Sequence, residues 1–270
     1  MTSAVANLPA SPRVTQLRVI RSEWTKLWTV RSTRWSLLVA TVLTIGLPAL
    51  ASAVISTHWG SRSPGDRLSF NPLDPTLAGA MVATLPIGVL GVLVMTGEYS
   101  TGMIRASLSA VPSRLPVLWA KATVFALVTF VLMLPSVLIA FFICQTILSK
   151  HDASYAWGHP GVARAVIGAA LYLTVVALLT LGLGTIIRNT AGGIAAFAAL
   201  FFVIPPLMNV LPSSWNHAIS PYLPGNAGTA VTQLTHGSDT LAPWAGFGVF
   251  VAWAAASLAI AAFVLLRRDA

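Results

Sequence analysis

The charges of this chain are spaced so that most of it cannot face water. The intervals from Arg34 to Arg62, Asp74 to Glu98, Lys121 to Lys150, Arg164 to Arg188 and Asp239 to Arg267 contain no Asp, Glu, Lys or Arg between their named ends, and each is mostly apolar. The interval from Arg188 to Asp239 holds one more apolar run, followed by a polar Pro/Ser/Asn segment. A helix rises 1.5 Å per residue, so about 20 apolar residues cross a hydrocarbon core of about 30 Å. The runs predict six spans at 35–57, 76–96, 122–147, 165–187, 191–211 and 243–266. None contains a charge, which at a span centre would cost roughly 2.5–3.5 kcal/mol.

Only 9% of the 270 residues are charged, against roughly 25% in ordinary soluble domains. That excludes a soluble enzyme, a disordered regulator and a coiled coil. The net charge of +9 could suggest nucleic acid, but the basic residues sit in short clusters between apolar runs, where they orient spans. With a cytosolic N-terminus, 12 Lys and Arg fall inside and four outside, the four being Arg62, Arg67, Lys150 and Arg164. Both termini are therefore expected in the cytosol. Trp35 and Trp119 mark the inner boundary, and Trp59, Trp157, Trp215 and Trp244 the outer one. The single cysteine, Cys144, allows no internal disulfide and reads as a small packed hydrophobe.

The expected fold is an all-α integral membrane protein. Residues 1–34 form a cytosolic N-terminal segment, 35–266 the six-span domain and 267–270 a cytosolic tail. Within 14–34, Val14, Leu17, Ile20, Trp24, Leu27 and Trp28 recur at helical spacing, with Arg18, Arg21, Lys26 and Arg31 among them. This predicts an amphipathic helix in the inner interface with its Trp and Leu face toward the acyl boundary. It reads as a lever beside a partner subunit or as a surface anchor, and the two are compatible.

The segment 97–121 is the longest cytosolic connection. Glu98, one of two glutamates, opens it, Gly102 breaks its first turn, and Met103, Ile104, Leu108 and Val111 make a short apolar stripe that Pro112 stops. A short helix across the cytosolic mouth, suited to docking into another protein, is one reading. A solvated loop is the other.

Here the chain resembles a known family. Glu98-Tyr99-Ser100-Thr101-Gly102, Pro112-Ser113-Arg114 and Ala120-Lys121 are similar to the cytosolic loop of ABC-transporter type-2 permeases. The basic N-terminal helix with Glu23-Trp24-Thr25-Lys26-Leu27, the six spans and the polar outer segment agree. The resemblance implies a cytosolic coupling helix seated in a separate ATPase subunit, with Glu98, Tyr99, Gly102, Met103 and Arg105 at that contact and Arg114 near it. It implies that Glu98→Arg weakens docking without unfolding the chain. It further implies a second permease chain, as homodimer or heterodimer, a bacterial inner membrane, export of a hydrophobic or amphipathic compound, and short re-entrant helices in 212–242. The second and fifth spans would line the path, through Met81, Thr84, Met95, Phe197, Phe201, Phe202, Met208 and Asn209, although core packing is the safer expectation for any one of them.

The chain has no G-x-x-x-x-G-K-[ST] phosphate loop, so ATP and Mg belong to the partner ATPase and no cofactor to this chain. No H-E-x-x-H or G-x-S-x-G occurs, and no catalytic or metal site is expected. All seven acids fall outside the six spans. A buried carboxylate pair is therefore not expected, which argues against a proton-coupled secondary transporter. That class, and a non-transporting membrane scaffold or sensor, are the competing readings.

Overall fold

A backbone surrounded by hydrocarbon must satisfy its hydrogen bonds within its own segment, so each uncharged run closes into helix. The computed structural model describes residues 15–103, 115–210, 212–235, 237 and 240–267. Among these the regular elements are all helical. Helix α1 (Gln16–Thr29) leads through the extended residue Val30 into α2 (Arg31–Thr57). A short α3 (Pro64–Leu68) precedes α4 (Leu73–Ser100). Then come α5 (Leu115–Leu148) and α6 (Val162–Ile187). The fifth span is α7 (Thr190–Ala198), a π-helical turn (Ala199–Val203) and α8 (Ile204–Met208). Two short helices, α9 (Ser213–Ile219) and α10 (Pro224–Thr229), lead to α11 (Pro243–Arg267). Six segments are long and apolar enough to cross a membrane. The chain is a multi-pass membrane protein.

Side-chain contacts fix the helix directions. Lys26 and Lys121 both reach Glu98, Thr190 Oγ1 donates to Thr96 Oγ1 at 2.9 Å, and Arg188 Nη2 reaches the Val264 carbonyl at 3.4 Å. One end of the bundle therefore gathers α1, the starts of α2, α5 and α7, and the ends of α4, α6 and α11. This basic end also carries Arg18, Arg21, Arg31, Arg34 and Arg267. At the opposite end His151 Nε2 meets Ser56 Oγ at 2.9 Å, and Gln145 Nε2 donates to Thr76 Oγ1 at 3.1 Å. Successive spans run up and down.

The centre of the bundle is α6, packed against α4, α5 and α11. Small residues let it approach its neighbours. A Cβ on Gly91 of α4 would collide with Thr180 Oγ1, and one on Gly182 with Ser257 Oγ. The latter hydroxyl donates across the same contact to the Leu179 carbonyl at 3.0 Å. Ala165 and Ala169 are wholly buried here, so this pair packs within the chain. The first and fifth spans differ. Their apolar windows are only 22% and 17% buried, against 72% for the fourth. Ala191 and Ala195 lie on the exposed face of the fifth.

The π turn has a local cause. Pro205 and Pro206 have no N–H to offer the carbonyls one turn back, and a widened turn accommodates the mismatch. The segment after it is not a plain loop. Ala227, Ala230 and Val231 are buried, and Gly228 lies under the rings of Tyr172 and Phe250. Trp253 Nε1 donates to the Tyr222 carbonyl at 3.0 Å. Trp253 lies ten residues into α11, so the segment descends roughly 15 Å along that helix.

Candidate functional site

On α1, Val19, Glu23 and Leu27 recur every fourth residue and form its buried face. A glutamate in an apolar stripe needs a partner, because an uncompensated buried charge is very costly. Two lysines supply it. Lys121 Nζ, near the start of α5, lies 2.6 Å from Glu23 Oε2 and 2.9 Å from Glu98 Oε1. Lys26 Nζ lies 2.7 Å from Glu23 Oε1 and 3.0 Å from Glu98 Oε1. Glu23, Lys121 and Glu98 are buried, whereas the Lys26 side chain keeps 30% of its exposure. Among the described residues two positive and two negative groups balance, and this nearly dry cluster ties α1, α4 and α5 together. Partial burial pulls the Lys26 pKa down, but the hydrogen-bonded Glu23 carboxylate and Glu98 outweigh it and hold the ammonium above its ordinary value.

The cluster corrects three expectations. A buried carboxylate pair does exist. The Glu98 carboxylate is turned into the protein, so Glu98→Arg would set a third cation against Lys26 and Lys121 and is not neutral for folding. On α1, Leu27 belongs to the core, while Leu17, Trp24 and Trp28 are the exposed apolar residues. Charges that read as span boundaries conceal the cluster, since α4 continues through Glu98 and α5 begins before Lys121. The available signal is the i, i+4 spacing of Val19, Glu23 and Leu27.

Beside the cluster is a cavity of about 300 Å³. Glu23, Leu27, Thr33, Glu98 and Lys121 form its buried floor, and Thr29, Val30, Ser32, Ser100, Thr101 and Met103 its exposed rim. Of the other expected contact residues, Tyr99 lies under Arg188, whose guanidinium carbon is 5.2 Å from the ring centroid. Gly102 takes φ +69, a left-handed turn that ends α4 and is cheapest for glycine. Met103 is 50% exposed. Arg105 and Arg114, with the stripe residues Ile104, Leu108 and Val111, lie outside the described residues.

No protein-family model matches the chain, and no curated protein matches it significantly.

The structure does not bring the eight expected path residues together. Thr84, Met95, Phe197 and Phe201 are buried in the core. Thr84 Oγ1 lies 3.4 Å from the Tyr172 hydroxyl, and a Cβ on Gly88 would strike the Phe197 ring. Met81 borders a separate cavity of about 590 Å³ between the start of α4 and residues 232–235. Phe202 is exposed within the π turn. Met208 is half-buried, and Asn209 accepts a hydrogen bond from Asn216 at 3.3 Å. The core residues pack helices, while Met81, Phe202 and Asn209 reach surface or cavity.

Proposed function

We propose that this chain is the permease subunit of an ABC transporter, exporting a hydrophobic or amphipathic compound with energy from a separate ATPase. The observation that carries the reading is the order of Glu98-Tyr99-Ser100-Thr101-Gly102, Pro112-Ser113-Arg114 and Ala120-Lys121 between the second and third of six spans. The ion cluster supports it mechanically. A push on the segment after α4 by an ATPase closing on ATP would reach α1, α4 and α5 together, because Glu98 joins all three. Such a push shifts access from inward to outward only as far as the ATP-bound partner favours one state over the other.

The excess of Lys and Arg at the basic end supports a cytosolic position for it and for both termini. A bacterial cell membrane follows from the resemblance. The two poorly buried spans support a second permease chain, since small residues such as Ala191 and Ala195 permit close helix contact. The burial of Leu223, Pro224, Ala227, Gly228, Ala230, Val231 and Thr232 supports re-entrant helices at the outer end. Secondary transport finds less support, because both buried carboxylates among the described residues, Glu23 and Glu98, are paired with lysines at one end of the bundle.

The test is co-purification with a nucleotide-binding subunit encoded in a neighbouring reading frame, followed by uptake into inverted vesicles. ATP-dependent, vanadate-sensitive accumulation of an amphipathic probe is expected. Failure to assemble with any such subunit, or uptake driven by an ion gradient without ATP, would overturn the reading.

A further inference from the structure

The cavity of about 590 Å³ between the start of α4 and residues 232–235 has the size of a small-molecule site, about 300–1,000 Å³. Its lining is polarised along α4. Asp74 stands in the first turn, and Leu77, Ala78, Met81 and Val82 follow it on the same helical face. The rise from Asp74 to Val82 is about 12 Å. The facing wall, Thr232, Gln233, Leu234 and Thr235, is uncharged. Arg164 holds that wall by donating to the Gln233 carbonyl at 2.7 Å, but it does not line the cavity. Asp74 is thus the one charged group of the lining among the described residues.

The start of α4 is served by Asn71 rather than by Asp74. Asn71 Oδ1 accepts from the Leu73 N–H at 3.2 Å, and Asn71 Nδ2 donates to Asp74 Oδ1 at 2.8 Å. Asp74 Oδ2 has no hydrogen-bond or ion-pair partner among the described residues, and Asp74 is exposed, so a solute can reach it. Gln145, which donates to Thr76 Oγ1 at 3.1 Å, lies one turn from Phe141, and Trp157 packs on the Phe141 ring at 5.6 Å. Asp74 therefore lies near the level of Trp157, and tryptophans mark the headgroup level of a bilayer. The apolar stripe descends from there toward the acyl chains.

We infer that this cavity binds a lipophilic amine in its protonated form, the ammonium donating to Asp74 and the apolar body lying along Leu77, Met81 and Val82. Elimination selects that class. The carboxylate repels an anion and gives a neutral solute no more than water does. No group of three or more His, Cys, Asp or Glu able to hold a metal ion occurs among the described residues. An aminophospholipid carries a phosphate, for which the described lining holds no cation. A monocation with an apolar body matches both ends of the cavity. The inference rests on the proposed export only in making the amine cargo, held at the outer mouth. Binding is read on the chain alone, so its failure and a failure of ATPase coupling are separate results.

The full chain is placed in phosphatidylcholine nanodiscs, with empty discs as the partition blank. Equilibrium dialysis at neutral pH reads saturable binding of tritiated imipramine, a tricyclic tertiary amine, and of iminodibenzyl, the same ring system without that amine. One site per chain is expected, with imipramine bound roughly tenfold tighter than iminodibenzyl, as one charge-assisted hydrogen bond implies. Asp74→Asn should bring imipramine down to the level of iminodibenzyl, and Ala78→Trp, which fills the cavity from α4, should weaken both. Equal binding of the two compounds by the wild type would overturn the inference whether or not either variant folds. So would an imipramine preference undiminished in Asp74→Asn, or binding unaffected by Ala78→Trp. Loss of imipramine binding when phosphatidylethanolamine replaces half of the lipid would reassign the site to a lipid amine and overturn the small-amine assignment.

Discussion

Lys121 answers two carboxylates at once, at 2.6 and 2.9 Å. Removing one partner of a buried ion pair typically costs about 3–5 kcal/mol, whereas removing a matched pair costs far less. Lys121→Met is expected to lower stability by about that amount. The double change Lys121→Met with Glu23→Leu should be milder, because Lys26 and Glu98 remain as a neutral pair. Thermal melts of the single and double variants close the cycle, and a double variant worse than Lys121→Met would refute the account. Lys26 makes a pH prediction. Its pKa is raised on folding from 10.5, so its contribution is complete below about 10.5 and is lost as pH rises through the folded value. The stability gap between wild type and Lys26→Gln should stay constant from neutrality to that point and shrink beyond it. A gap that instead widens above it would have the sign wrong.

Helix ends show how far the sequence could be read. The expected spans and the helices agree because long uncharged runs have one outcome in lipid. They differ most at 122–147 against Leu115–Leu148, and at 76–96 against Leu73–Ser100. Both errors have one origin. Lys121 and Glu98 look like charges that must face water, and each is instead satisfied by the other across two helices. Such pairing is a tertiary fact, invisible to a scan along one segment. The same holds for Phe197, whose place under Gly88 no spacing announces. Glycines carry an element-scale prediction. Gly91→Val drives a side chain into Thr180 and should cost about 1–3 kcal/mol by overpacking. Gly46→Ala, where an added Cβ meets nothing within 4 Å, is the tolerated control. Equal melting temperatures for the two variants would show that the α4–α6 contact is looser than described.

Across the whole molecule, burial is unequal, and the imbalance points outward. A fifth span only 17% buried faces either lipid or another chain. Ala195→Cys discriminates, because the one native cysteine, Cys144, is buried and the wild type serves as its own control. Under mild oxidation in native membranes the variant is expected to form a disulfide-linked dimer and the wild type none. A strictly monomeric variant would remove that face from any self-association. Finally, Glu23 and Lys121 are 98 residues apart in the chain. At a synthesis rate of roughly 5–20 residues per second, the lysine leaves the ribosome about 5–20 s after the glutamate. Through that interval the first hairpin is already inserting while its acid has only Lys26, three residues on, for company. The third crossing thus completes the assembly as well as lengthening it, and a nascent chain halted before Lys121 would hold α1 to α4 only through the partly exposed Lys26.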